Sequence, residues 1–134
     1  MDFPPGLPQR GQSFTEWFEP NSASDGVAWK TCRIRPNSTW LYILCIGGGG
    51  SGGNGVVGAN STAAGGGSGA SGGQTTLLIP AALLPSTLYI SVGVGGSGGG
   101  GNPGVVSRVS ISPDTTSSNG VCYAGAGTAG NNAS

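Results

Sequence analysis

The chain has 134 residues, of which 29 are glycine; only 7% are charged, and the formal net charge is zero. That length fits one domain with an arm and is enough to bury a core. The composition excludes a charge-rich disordered tail, the lack of a strict Gly-X-Y period excludes collagen, and neutrality leaves nothing to steer the chain to nucleic acid or anionic lipid.

Residues 1–11, MDFPPGLPQRG, are punctuated by Pro4, Pro5 and Pro8, which oppose a helix and favour an extended arm. Two runs rich in aromatic and β-branched residues follow, QSFTEWFEP (12–20) and VAWKTCRI (27–34), separated by the turn-forming NSASDG. This pattern predicts a hairpin of two strands, with Trp17, Phe18, Val27 and Trp29 as its apolar contacts. Thr39–Ile46, TWLYILCI, is the strongest strand signal. A period of two puts Trp40, Tyr42, Leu44 and Ile46 on one face and Leu41, Ile43 and Cys45 on the other, and both sets are apolar, so both faces are expected to be covered. Gln74–Ile79 reads as a second core strand ended by Pro80. Ala81–Leu84 reads as a helical turn or a loop ended by Pro85. Further strands are predicted at Thr87–Val94, at Val105–Ser112 and at Val121–Ala124, the last approached by the hairpin-forming pair Asn119-Gly120.

Glycine fills the intervals between these strands, at residues 47–73 and 93–104. The border is abrupt: ILCIGGGGSGG (43–53) passes from core-forming residues to nearly pure glycine, and LYISVGVGGSGGGG (88–101) does so again. A flexible tether has no reason to be bracketed by core strands on both sides. The pattern therefore predicts ordered glycine segments, either long loops or three-fold extended helices packed side by side and joined by backbone hydrogen bonds. The expected fold is all-β: a compact, β-sandwich-like domain over residues 26–134 with glycine-rich loops at one end. Residues 1–25 are expected to form an extended attachment arm that includes the first strand of the hairpin.

The inventory offers little chemistry. There is no histidine, so neither a Ser-His-Asp triad nor a histidine metal site can form, and the five acidic residues give no convincing carboxylate pair. Gly93–Gly98 matches G-x-G-x-x-G after a strand, but GGGNPGVV follows where a dinucleotide site needs a helix. No Walker lysine follows any glycine run. Three N-x-S/T matches, at Asn37, Asn60 and Asn132, read as accidents of a Ser/Thr/Asn-rich chain. Cys32, Cys45 and Cys122 have no metal or redox spacing and read as small buried apolar residues of a reduced protein. The opening MDFPPGLPQRGQ has no apolar segment of the kind a signal peptide carries, and no apolar run reaches the ~20 residues of a membrane span. No catalytic residue, metal or cofactor is expected, and no membrane insertion.

Charge is confined to the amino-terminal part. Only Arg108 and Asp114 lie beyond Arg35. So little charge suits a domain whose surface lies inside an assembly, and points to a homo-oligomer. The arm carries Phe3, Phe14, Trp17 and Phe18, the candidate anchors for attachment, and four of the five acids.

The order of these segments resembles the glycine-rich domain of bacteriophage tail fibres and related virion appendages. Such domains run an aromatic-led strand into a glycine block, as TWLYILCIGGGGSGG does here. A further block leads to a strand, a proline-marked turn and a strand that enters glycine again, GGGSGASGGQTTLLIPAALLPSTLYISVGVGGSGGGG, and then to a Ser/Val strand, VVSRVSIS. The likeness spans residues 27–127, with PAALLPS standing where the family has a Pro-Gly turn. GQSFTEW and DGVAWK are similar to a short hairpin that punctuates phage fibre chains. The resemblance implies a virion structural protein, often a trimer, that contacts other virion proteins and displays glycine loops outward, a host cell-surface receptor being the natural target. The alternative is a capsid-associated decoration or cement protein anchored on the virion shell by its arm.

Overall fold

The computed structural model describes residues 13–20, 29–57 and 63–133. Among the described residues, eight strands carry the fold: β1 Lys30–Arg33, β2 Trp40–Ile46, β3 Val56–Val57, β4 Ala63–Ala64, β5 Gln74–Pro80, β6 Thr87–Ser91, β7 Ser107–Ser110 and β8 Gly120–Ala124. Helix among the described residues is confined to single 3-10 turns at Ala81–Leu83 and Ser117–Asn119. The fold is therefore all-β. The first of these turns lies between Pro80 and Pro85, which leave room for one turn and no more.

Two antiparallel sheets face each other. The larger has the order β1-β6-β7-β8 and the smaller pairs β2 with β5. The β2–β5 register sets Leu41 opposite Ile79, Ile43 opposite Leu77 and Cys45 opposite Thr75 on the inward face. Leu41, Ile43, Cys45 and Leu77 pack from that sheet against Leu88, Val109, Cys122 and Ala124 from the other. This core is small, with Leu88 only 2% exposed.

The structure corrects three expectations. Residues 13–20 form no strand, so they make no hairpin with 29–34, and Val27 lies outside the described residues; β1 pairs instead with β6, placing Cys32 opposite Leu88 and Lys30 opposite Ile90. Pairing there extends a sheet that buries Leu88, whereas 13–20 touches β1 through side chains: the Lys30 Nζ donates to the Glu19 carbonyl, and the Cys32 thiol lies 3.6 Å from a Glu16 carboxylate oxygen. Second, β2 is covered on one face only. Trp40, Tyr42, Leu44 and Ile46 point to solvent because the two-stranded sheet has a partner on a single side. Third, sheet pairing in β6 stops at Ser91 and in β7 begins at Ser107, shorter than Thr87–Val94 and Val105–Ser112. The missing residues belong to a different structure, the glycine lattice.

Beyond the sandwich the chain runs through five extended segments, 47–54, 65–73, 93–96, 102–106 and 125–133, bonded to one another by backbone groups at three-residue intervals. Gly47, Gly50 and Gly53 donate to the carbonyls of Gly73, Ala70 and Gly67 at 2.8–2.9 Å. Gly67, Ala70 and Gly73 donate in turn to Asn131, Thr128 and Gly125. Gly127, Gly130 and Ala133 close the ring by donating to Gly48, Ser51 and Asn54, while Gly48 and Ser51 reach Val105 and Asn102. Segment 47–54 is thus the axis, with the other four around it. A repeat of three is that of an extended, polyproline-II-like helix, which has no internal hydrogen bonds and can send all of them sideways.

Glycine is required here by contact distance. A Cβ on Gly47, Gly50 or Gly53 would be driven into the carbonyls of Gly125, Thr128 and Asn131, and one on Gly66, Gly69 or Gly72 into those of Gly53, Gly50 and Gly47. Every third position faces a neighbouring backbone with no space for a side chain. The seven steps from Gly47 to Asn54, at about 3.1 Å each, carry the lattice roughly 20 Å beyond the strands.

Candidate contact surfaces

Three surfaces among the described residues stand out for contact. The first is the outer face of the β2–β5 sheet. Alternation brings Trp40, Tyr42, Leu44 and Ile46 to this face, and the register sets Pro80, Leu78, Thr76 and Gln74 opposite them. Tyr42 is 64% exposed and Leu78 62%. None of these eight residues carries charge. With aromatic side chains of ~150–250 Å² each, the apolar part is on the order of 500 Å², at the upper end of what a monomeric protein shows as its largest patch.

The second surface is the described part of the arm. Trp17 is 81% exposed and Phe14 also stands in solvent, its ring face 3.5 Å from the Arg35 guanidinium, a cation–π contact. Phe18 is half-buried. Phe3 lies outside the described residues. Phe14, Trp17 and Phe18 are thus carried on one short segment beside β1, and two of the three show their rings to solvent.

The third is the far end of the lattice, where three stretches converge: the two-stranded β3–β4 ribbon, the turn around Ser97–Gly101, and residues 130–133. Asn54 N–H donates to the Asn132 side-chain carbonyl at 2.8 Å. Asn102 bridges back to Ser51, its N–H donating to the Ser51 hydroxyl at 2.8 Å while Asn102 Nδ2 holds the Ser97 carbonyl. Gly98 (φ 79°) and Gly101 (φ 73°) occupy left-handed backbone that turns the chain here. On this polar frame β3 carries two exposed valines, Val56 and Val57.

No family model, curated protein or solved structure matches this chain.

Two further polar clusters hold the β7–β8 connection. Asp114 accepts from the Thr116 N–H and from Asn119 Nδ2, both at 2.8 Å, and these bonds hold its carboxyl below the usual range. They close the β7–β8 connection, so Asn119-Gly120 ends a longer turn and does not make a two-residue hairpin. Arg108 lies over the Tyr123 ring and donates to the Thr115 carbonyl at 3.0 Å, clasping the same connection. Among the described residues no three His, Cys, Asp or Glu side chains gather to hold a metal. No described helix is long and apolar enough to cross a membrane.

One structural position was missed from sequence. Ser107 is buried; its hydroxyl donates to the Ile46 carbonyl at 2.6 Å and accepts from the Gly93 N–H at 2.9 Å. It ties three chain segments where strands become lattice. A serine inside VVSRVSIS gives no sign of this, because the partners lie 61 and 14 residues away.

Proposed function

We propose that this chain is a non-enzymatic structural component of a bacteriophage tail fibre or similar virion appendage, working as a homo-oligomer, a trimer by its fibre likeness. In this reading the outer β2–β5 face packs against a second copy, the arm with Phe3, Phe14, Trp17 and Phe18 attaches the assembly to other virion proteins, and the lattice tip faces outward.

The observation that carries the reading is the lattice itself. Five segments locked by backbone bonds make a stiff projection whose end gathers three chain turns, an arrangement suited to presenting a small contact surface at a distance. The uncharged outer face supports the second copy as its occupant. Its ~500 Å² falls short of the ~800 Å² per partner of a standard interface, and the arm's aromatic rings are the nearest source of more.

Two variants of the whole chain test the reading in assembled particles. Val56→Asp with Val57→Asp should leave incorporation intact and abolish adsorption to host cells. Tyr42→Arg with Leu78→Arg should leave a folded monomer by sedimentation. Unchanged adsorption by the first variant and unchanged association by the second would overturn it. Hundreds of copies per particle would assign the chain to the shell as a decoration protein instead.

A further inference from the structure

In an ordinary β-sandwich the two sheets lie about 10 Å apart, which is beyond the roughly 4.4–6.8 Å Cα separation of a disulfide. Here the sheets converge toward the lattice. Two residues past Cys45, a Cβ on Gly47 would overlap the Gly125 carbonyl; three residues past Cys122 is Gly125 itself, whose carbonyl accepts from Gly73 N–H at 2.8 Å. The β2–β5 sheet and β8 are therefore at backbone hydrogen-bonding distance just beyond the two cysteines. Cys45 on β2 and Cys122 on β8 sit near the apex of this wedge, next to the small Ala124, in one buried cluster. Both are free thiols.

We propose that Cys45 and Cys122 are a cross-sheet disulfide pair, reduced when the chain is made and oxidised when the protein meets a low-molecular-weight disulfide such as glutathione disulfide. One thiolate attacks the glutathione disulfide and releases one glutathione. The other attacks the resulting mixed disulfide and releases the second. Two protein thiols thus lose two protons and two electrons, and one glutathione disulfide becomes two glutathione molecules. The bond would join β2 to β8 and close the wedge that the glycine contacts begin. Burial, followed by the contact with Cys122, pushes the Cys45 thiol up to about 12, so the folded reduced protein reacts slowly and the bond forms during folding or on slow opening. Cys32 lies apart, half-buried beside Glu16, and takes no part.

The test uses the full chain carrying Cys32→Ser, refolded in glutathione disulfide and, separately, in dithiothreitol. Thiols are then alkylated under denaturing conditions and the peptides mapped by mass. The expected product of oxidation is a single intrachain Cys45–Cys122 link, two hydrogen masses lighter, with unchanged β-type circular dichroism and Tm raised on the order of 10 °C over the reduced form. Two free thiols after oxidative refolding, glutathione adducts alone, links only between chains, or a link that lowers Tm would each overturn the proposal. Cys32→Ser with Cys45→Ala supplies the baseline, since its one remaining thiol cannot form an intrachain bond.

Discussion

At the scale of single residues, whether a glycine is needed here depends on what faces its missing side chain. A Cβ on Gly48 would strike the Val94 carbonyl and lie 3.0 Å from Gly95 N, all backbone that cannot rotate away, whereas one on Gly125 meets nothing within 4 Å. Gly48→Ala should therefore cost about 3 kcal/mol or more, from overpacking and loss of neighbouring lattice bonds. Gly125→Ala should stay within about 0.5 kcal/mol of wild type, because its φ is not in the left-handed region and an alanine restricts the unfolded chain. Urea denaturation of the two variants checks the contrast; equal costs would refute the contact argument. Ser107→Ala removes one hydroxyl and strands the Ile46 carbonyl and the Gly93 N–H in a buried site. The expected loss is about 1–3 kcal/mol by the same measurement. Leu44 gives the opposite lesson: at 41% exposure it is not a core residue, and truncating it should cost less than truncating Leu88.

At the scale of elements, the lattice predicts a pattern in amide exchange. Along the axial segment the N–H groups of Gly47, Gly48, Gly50, Ser51 and Gly53 donate to neighbouring carbonyls, while those of Gly49 and Gly52 do not. Exchange measured residue by residue should show two protected amides and one unprotected, repeating every three residues. Uniform fast exchange would mean the segments are tethers. The strands themselves were legible in the sequence: the unbroken apolar run in TWLYILCI marks β2, the alternation in TLYIS marks β6, and Pro80 marks the end of β5. What alternation could not say was how many sheets would cover each face. Both faces of β2 are apolar, but only Leu41, Ile43 and Cys45 meet the second sheet, so the other half of the pattern records a surface. Nor could local pattern pair β1 with β6 across more than fifty residues, or show that 13–20 would meet β1 through Glu16 and Glu19. Of the candidate anchors, Trp17 was expected as a packed hairpin contact and instead stands exposed because 13–20 forms no strand; only its place among the arm's aromatics was legible. The tip at Asn54, Asn102 and Asn132 was not, since its residues are joined only by the lattice.

At the scale of the whole molecule, the chain is held by two different means. The sandwich end relies on a few apolar side chains around Leu88, and the lattice end on backbone bonds with almost no apolar surface. Heating should register the difference. Unfolding a typical protein raises the heat capacity by ~12–15 cal/mol/K per residue, because newly wetted apolar groups add to it and newly wetted peptide groups subtract. A chain of this length would ordinarily reach ~1.6–2.0 kcal/mol/K; with lattice segments that release mainly peptide groups, the calorimetric value should fall below ~1.5. A value in the ordinary range would show that unfolding the lattice wets as much apolar surface per residue as unfolding a typical protein does. A small increment flattens the curve of stability against temperature. The glycine ring that leaves no room for side chains would thereby also make this protein indifferent to its climate, losing little of its hold in cold water or in warm.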